Sequence, residues 1–191
     1  MNMNPANMTV SIEHLKALKS DAQKMQKKGL PFMMASVIIW TLILLVQFSG
    51  KAVVTKNLYT FMCSCFLMPL AFLFSKIIGA DIFRKTQNPI NKLGLLCTMN
   101  QMLYLLIVMW AYSRKPEAML MLYAMVFAGH LLPYGWVYDS KTYTVFSVAE
   151  TIGALAVSLI LGNVATAVFM IAMQCAVCIL LFAEVRKEQK E

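Results

Sequence analysis

Residues Tyr143–Leu161 read YTVFSVAETIGALAVSLIL, nineteen residues with a single ionisable group, Glu150. A helix crosses about 30 Å of hydrocarbon in about 20 residues at 1.5 Å each, so the stretch has the length of one crossing. If Glu150 marked the start of the helix at a water boundary, Thr151–Leu161 would rise only about 16 Å and fall short. Joined to the following run, the segment would become Thr151–Phe182, too long for one crossing and broken at Gly162-Asn163. The reading that satisfies both limits is a helical hairpin turning at Gly162-Asn163, with Glu150 inside its first arm. An ionisable side chain within lipid is costly and rare, which makes Glu150 a functional candidate by default.

Five further runs share this character: Leu30–Phe48, Leu58–Ile78, Leu93–Tyr112, Ala118–Tyr138 and Val164–Phe182. Hydrophobic residues make up 60% of the 191-residue chain and charged residues 14%. Ordinary globular domains are less apolar and carry about 25% charge. The expected fold is therefore all-α: a polytopic integral membrane protein with six transmembrane helices in a bundle. Residues 1–28 form a cytoplasmic N-terminal segment, residues 29–183 the six-helix domain, and residues 184–191 a charged cytoplasmic tail. The first apolar run follows a long polar stretch and no small-residue cleavage site follows it, so it reads as an uncleaved first span.

The net charge of +8 is sorted by side. With six spans, thirteen of the seventeen lysines and arginines fall on the side of the termini; Lys51, Lys56, Arg114 and Lys115 fall on the other. The positive-inside rule places both termini in the cytoplasm. The cations track the loops and form no basic patch interleaved with aromatics, so nucleic acid is not an expected partner. The expected partners are the lipid bilayer and either a second copy of the chain or another membrane protein.

Within residues 9–28, Ile12, Leu15, Leu18, Ala22 and Met25 recur at helical spacing and predict a short amphipathic helix, with Ser11 as its cap. Such a helix either lies on an anionic leaflet or is a partly ordered tail that enforces topology. Asn88-Pro89 and Pro116-Glu117 read as helix starts. No loop is long enough for a soluble catalytic domain, and no nucleotide, metalloprotease or phosphate motif occurs. Cys63, Cys65, Cys97, Cys175 and Cys178 all fall inside spans and read as packing residues. No catalytic residues, metal ligands or cofactors are expected, and the chain does not read as an enzyme.

Counting helical rise from the cytoplasmic boundary gives each intramembrane polar residue a depth. Glu150 lies about 10 Å deep, His130 and Gln174 about 12 Å, and Asn100 and Gln101 about 12–14 Å. Pro69 and Pro133 fall near the same layer and predict kinks that free the carbonyls of Cys65 and Gly129. Ser147, Glu150, Ala154 and Ser158 share one stripe; Tyr104 shares a face with Asn100 or Gln101, and Tyr134 with His130. The expectation is an interior pocket in the cytoplasmic half of the bilayer. Glu150 would be its proton or ion site, His130 the partner, and Asn100, Gln101, Gln174, Tyr104 and Tyr134 its lining. Amides in such helices also serve as plain cross-helix hydrogen bonders. For Asn100, Gln101 and Gln174 that is the leading expectation; for His130 the two readings balance.

The stretches KGLPFMMASVIIW (28–40), NQMLYLLIVMW (100–110) and YAMVFAGHLLPY (123–134) resemble a family of small bacterial multi-pass membrane proteins of unknown function. The resemblance implies an integral protein of the bacterial cytoplasmic membrane, and it brings no activity or site residue. Asn100, Gln101 and His130 fall inside the resembling stretches and Glu150 does not. The leading functional expectation is movement of a small solute or ion, proton-coupled through Glu150. The alternative is a non-transporting subunit, sensor or assembly factor that binds a partner protein.

Overall fold

A computed structural model describes residues 5–82, 84 and 86–188, with side chains from Ser11 onward. Lys85 and Lys190 of the charge count, and the chain ends 1–4 and 189–191, lie outside the described residues. The described chain folds into α1 (Pro5–Gln26), α2 (Leu30–Phe48), α3 (Val53–Ser64), α4 (Leu67–Ile78), α5 (Pro89–Arg114), α6 (Met119–Gly129), α7 (Leu132–Val137) and α8 (Lys141–Glu188). Five helical stretches are long and apolar enough to cross a membrane: Ser11–Phe48, Val53–Ile78, Pro89–Arg114, Pro116–Val137 and Lys141–Glu188.

Local chemistry sets the breaks. Asn88 caps α5, its Oδ1 accepting from the Ile90 amide at 2.9 Å, with Pro89 in the first turn. Gly79 ends α4 in the left-handed region (φ 66°), where glycine carries no Cβ penalty. The helix pair α3–α4 breaks at Cys65-Phe66, upstream of Pro69, and α6–α7 breaks at His130-Leu131, upstream of Pro133. Both prolines lack the N–H that would have continued the ladder.

The 48 residues of α8 are not one rod. Gly162 adopts φ 79°, ψ −173°, a region open essentially only to glycine. The chain reverses there. Thr142 donates to Glu184 Oε1 at 2.6 Å and Gln174 to Glu150 Oε2 at 2.8 Å. Those pairs lie 42 and 24 residues apart, about 60 and 36 Å along a straight helix. An outgoing arm (141–161) therefore packs antiparallel to a returning arm (163–188). A Cβ at Gly153 would strike the Phe169 ring of the opposite arm, so the small residue sets how closely the arms approach.

Contacts gather the turns at two ends of the bundle. At the terminal end, the Asp81 amide donates to Met25 O (2.9 Å), Asn88 to Leu18 O (2.8 Å) and Tyr143 to Lys28 O (2.7 Å). Lys27 bonds the Ile78 carbonyl there as well. At the distal end, Lys56 donates to Gln47 O and Asn57 to Pro116 O, each at 2.8 Å.

The N-terminal helix differs from the expectation in two ways. It starts at Pro5, so Ser11 lies inside the helix and not at its N-terminus. Its first half leaves Ile12 and Leu15 exposed, and only the second half docks, through Leu18, Ala22 and the polar Gln23 and Gln26. The docking is largely polar: Gln26 donates to Asn91 at 2.9 Å and accepts from Tyr138, and Asp21 accepts from Asn88 at 3.0 Å.

Candidate functional site

Glu150 is fully buried. Its Oε2 accepts from Gln174 Nε2 at 2.8 Å, and Gln174 Oε1 accepts from Ser36 Oγ at 2.8 Å. Three segments meet in this relay: α2 brings Ser36, the outgoing arm Glu150 and the returning arm Gln174. All three side chains are at 0% exposure. Ser36 also bonds the Met33 carbonyl at 2.7 Å; one hydroxyl carries one proton, so it serves Met33 or Gln174 at a time. Glu150 Oε1 has no hydrogen-bond partner among the described residues. Buried polar atoms are nearly always satisfied, so this oxygen is the chemical opening of the site.

Apolar layers close the relay on both sides. Toward the terminal end lie Leu30, Met33, Tyr143, Val177 and Leu181, one to two turns away along the same helices. Toward the distal end lie Ile39, Trp40, Ile43, Ala154, Ala167 and Met170. The polar groups are therefore enclosed, and they do not form a pocket open toward the termini.

The expected partner of Glu150 is not His130. His130 bonds the Phe127 carbonyl through Nδ1 and packs edge-on against Phe127 and Tyr134. These contacts lie on α6 and α7, and Glu150 bonds Gln174 instead. Tyr134 shares a hydrogen bond with Thr98 (2.6 Å), donates to Gly94 O (3.1 Å) and stacks on Tyr138, which ties α7 to α5. Asn100 and Tyr104 are exposed on the outer face of α5 and Gln101 is half-buried there. None of the three makes a side-chain hydrogen bond among the described residues, and none lines the relay. The stripe Ser147, Glu150, Ala154 faces the interior as its spacing predicts.

Two participants escaped the sequence reading. Ser36 is a small hydroxyl in an apolar run, and its signal was the α2 stripe: Met33, Ser36, Trp40, Ile43 and Gln47, at spacings of three and four, are all buried. Trp40 Nε1 and Gln47 Nε2 on that stripe also lack partners. The second is Lys28, which sits at 4% exposure with Nζ 2.6 Å from Glu188 and 3.2 Å from Glu184. Read only as a topological charge, it is instead the clasp between the entry to α2 and the end of α8.

The chain matches a family of unknown function, DUF7010, over residues 15–184, and belongs to it. No curated protein and no solved structure matches the chain.

Proposed function

We propose that this member of a family of unknown function is a bacterial integral membrane protein that crosses the bilayer six times and moves a small solute or ion, with Glu150 as its exchanging group. The six crossings are supported by the reversal at Gly162, which divides α8 into two arms of spanning length. The alternation of turns between the two ends supports the same count: Lys28, Asp81, Thr142 and Glu184 at one, Gln47, Pro116 and Gly162 at the other. The charge bias supports cytoplasmic termini. The reading assigns the chain no catalytic reaction.

One observation carries the functional part. Glu150 is fully buried, holds one oxygen on Gln174 and leaves the other without a partner. With no partner for Oε1 among the described residues, this carboxyl group is suited to taking up or releasing a proton or cation. The Ser36 hydroxyl, with its choice of two acceptors, supplies a switchable end to the relay. The test is flux of protons and small ions into proteoliposomes across a pH gradient. Loss of flux in Glu150→Gln is expected, and flux equal to wild type would remove Glu150 from the mechanism.

A second reading, a partner-binding membrane subunit, is favoured by the outer face of α5. Asn100 and Tyr104 stand exposed there without hydrogen bonds, and amides on such faces bond across helices. Mild crosslinking followed by co-purification tests it: Asn100→Leu would lose a crosslinked species that wild type forms.

A further inference from the structure

Opposite the termini the bundle has an open cleft. A cavity of about 530 Å³ lies between the end of α2, the start of α3, the turn before α6 and the reversal of α8. That volume is in the range of small-molecule sites. Its surface is mostly apolar, and Gln47, Lys56, Glu117, Ser158 and Asn163 are the polar residues set into it.

Its walls are fixed by two adjacent residues of α3. Lys56 Nζ donates to the main-chain oxygen of Gln47 at 2.8 Å. Asn57, 1% exposed, donates to the main-chain oxygen of Pro116 at 2.8 Å. A single turn of α3 thus holds both the end of α2 and the turn that carries Glu117. Walls held in this way need little ordering when a ligand arrives.

Three side chains define what would fit. Gln47 is 5% exposed and its Nε2 donor has no partner. Lys56 has donor capacity beyond its one bond to Gln47. Glu117 is an acceptor, and although it lines the same cavity as Lys56 the two form no ion pair among the described residues. The lining therefore offers two donors and one carboxylate, with one positive and one negative charge. A ligand with a net charge would leave one of those charges uncompensated, and an uncharged one would leave both.

We propose that this cavity binds a small zwitterion, an ammonium carboxylate of the amino-acid class, its carboxylate held by Lys56 and Gln47 Nε2 and its ammonium by Glu117. The inference concerns binding at the distal end and does not depend on flux through Glu150.

The test is thermal unfolding of the purified full chain in detergent with glycine, alanine and γ-aminobutyrate, and with butyrate and butylammonium as single-charge controls. At least one zwitterion should raise Tm saturably by a few degrees while the controls do not. Glu117→Gln should abolish the rise. Glu117 is exposed and holds no other segment, so this variant should unfold at the wild-type Tm without ligand. Gln47→Leu should weaken the rise. Three results would each overturn the proposal: no rise with any zwitterion, an equal rise with butyrate alone, or an undiminished rise in Glu117→Gln. A failure here leaves the flux experiment on Glu150 unaffected, and the reverse holds as well.

Discussion

Gln174 and Glu150 face each other across the two arms of α8, 2.8 Å apart between Nε2 and Oε2. Gln174 uses both ends of its carboxamide, since Oε1 also accepts from Ser36. Replacing it with leucine would remove both bonds and leave a carboxyl group with no partner at either oxygen. Leaving a buried polar group unsatisfied costs about 1–3 kcal/mol. Gln174→Leu should therefore lower Tm in detergent, and the double variant Glu150→Leu/Gln174→Leu should recover part of the loss. A double variant less stable than the single would show that the pair is not held by this bond.

Lys28 gathers two carboxylates while itself almost fully buried. Breaking a buried pair costs 3–5 kcal/mol, but Glu184 and Glu188 are 26% and 29% exposed, and water offsets part of that. Lys28→Ala should cost about 1–3 kcal/mol, and Glu188→Gln less than about 1. Chemical denaturation of both variants checks the order.

Gly162 gives a clean backbone test. A Cβ there would touch nothing within 4 Å, so the cost of alanine comes from φ 79° alone. That cost is about 1–3 kcal/mol. Gly50, also in open space but without a left-handed φ, is the matched control, and Gly50→Ala should leave stability unchanged. Equal Tm for the two variants would mean the turn at Gly162 does not hold the hairpin.

Trp40 buries its ring against Tyr123 and Phe127, with centroids 5.6 and 5.7 Å away, yet its Nε1 has no acceptor among the described residues. Trp40→Phe removes an unsatisfied donor and leaves a small void, and the two effects oppose one another. Stability should stay within about 1 kcal/mol of wild type, whereas Trp40→Ala should cost about 3–5 kcal/mol. A large loss in Trp40→Phe would show that Nε1 has a partner beyond the described residues.

The runs of apolar residues and the breaks between them were legible because each is a local property. Length limits a crossing, Pro69 and Pro133 interrupt a ladder, and Gly162-Asn163 stops a helix. The burial of Glu150 was legible for the same reason, since its stripe with Ser147 and Ala154 follows from helical spacing. Its partner was not. Depth along an axis is one coordinate of three, and it ranked His130 level with Glu150 without saying which way either ring or carboxyl turned. The rotation of α6 against α8 is set by packing around Trp40, Phe127 and Ala154, residues distant in sequence. Asn100 and Gln101 failed on the same ground: α5 touches the bundle on one side, and they fall largely on the other. Gln174 was found by depth, and its facing followed only once the hairpin arms were seen to pack.

The clasp at Lys28 and the cavity by Lys56 lie at opposite ends of one bundle, and together they give the molecule a direction. Where Lys28, Thr142, Tyr143, Glu184 and Glu188 interlock, the entry to α2 and both arms of α8 are joined by four bonds. At the far end the two arms of α8 meet at Gly162, beside an open cleft that reaches the end of α2. From that cleft the buried stripe of α2 leads inward, from Gln47 through Ile43 and Trp40 to Ser36, and so to the carboxyl group of Glu150.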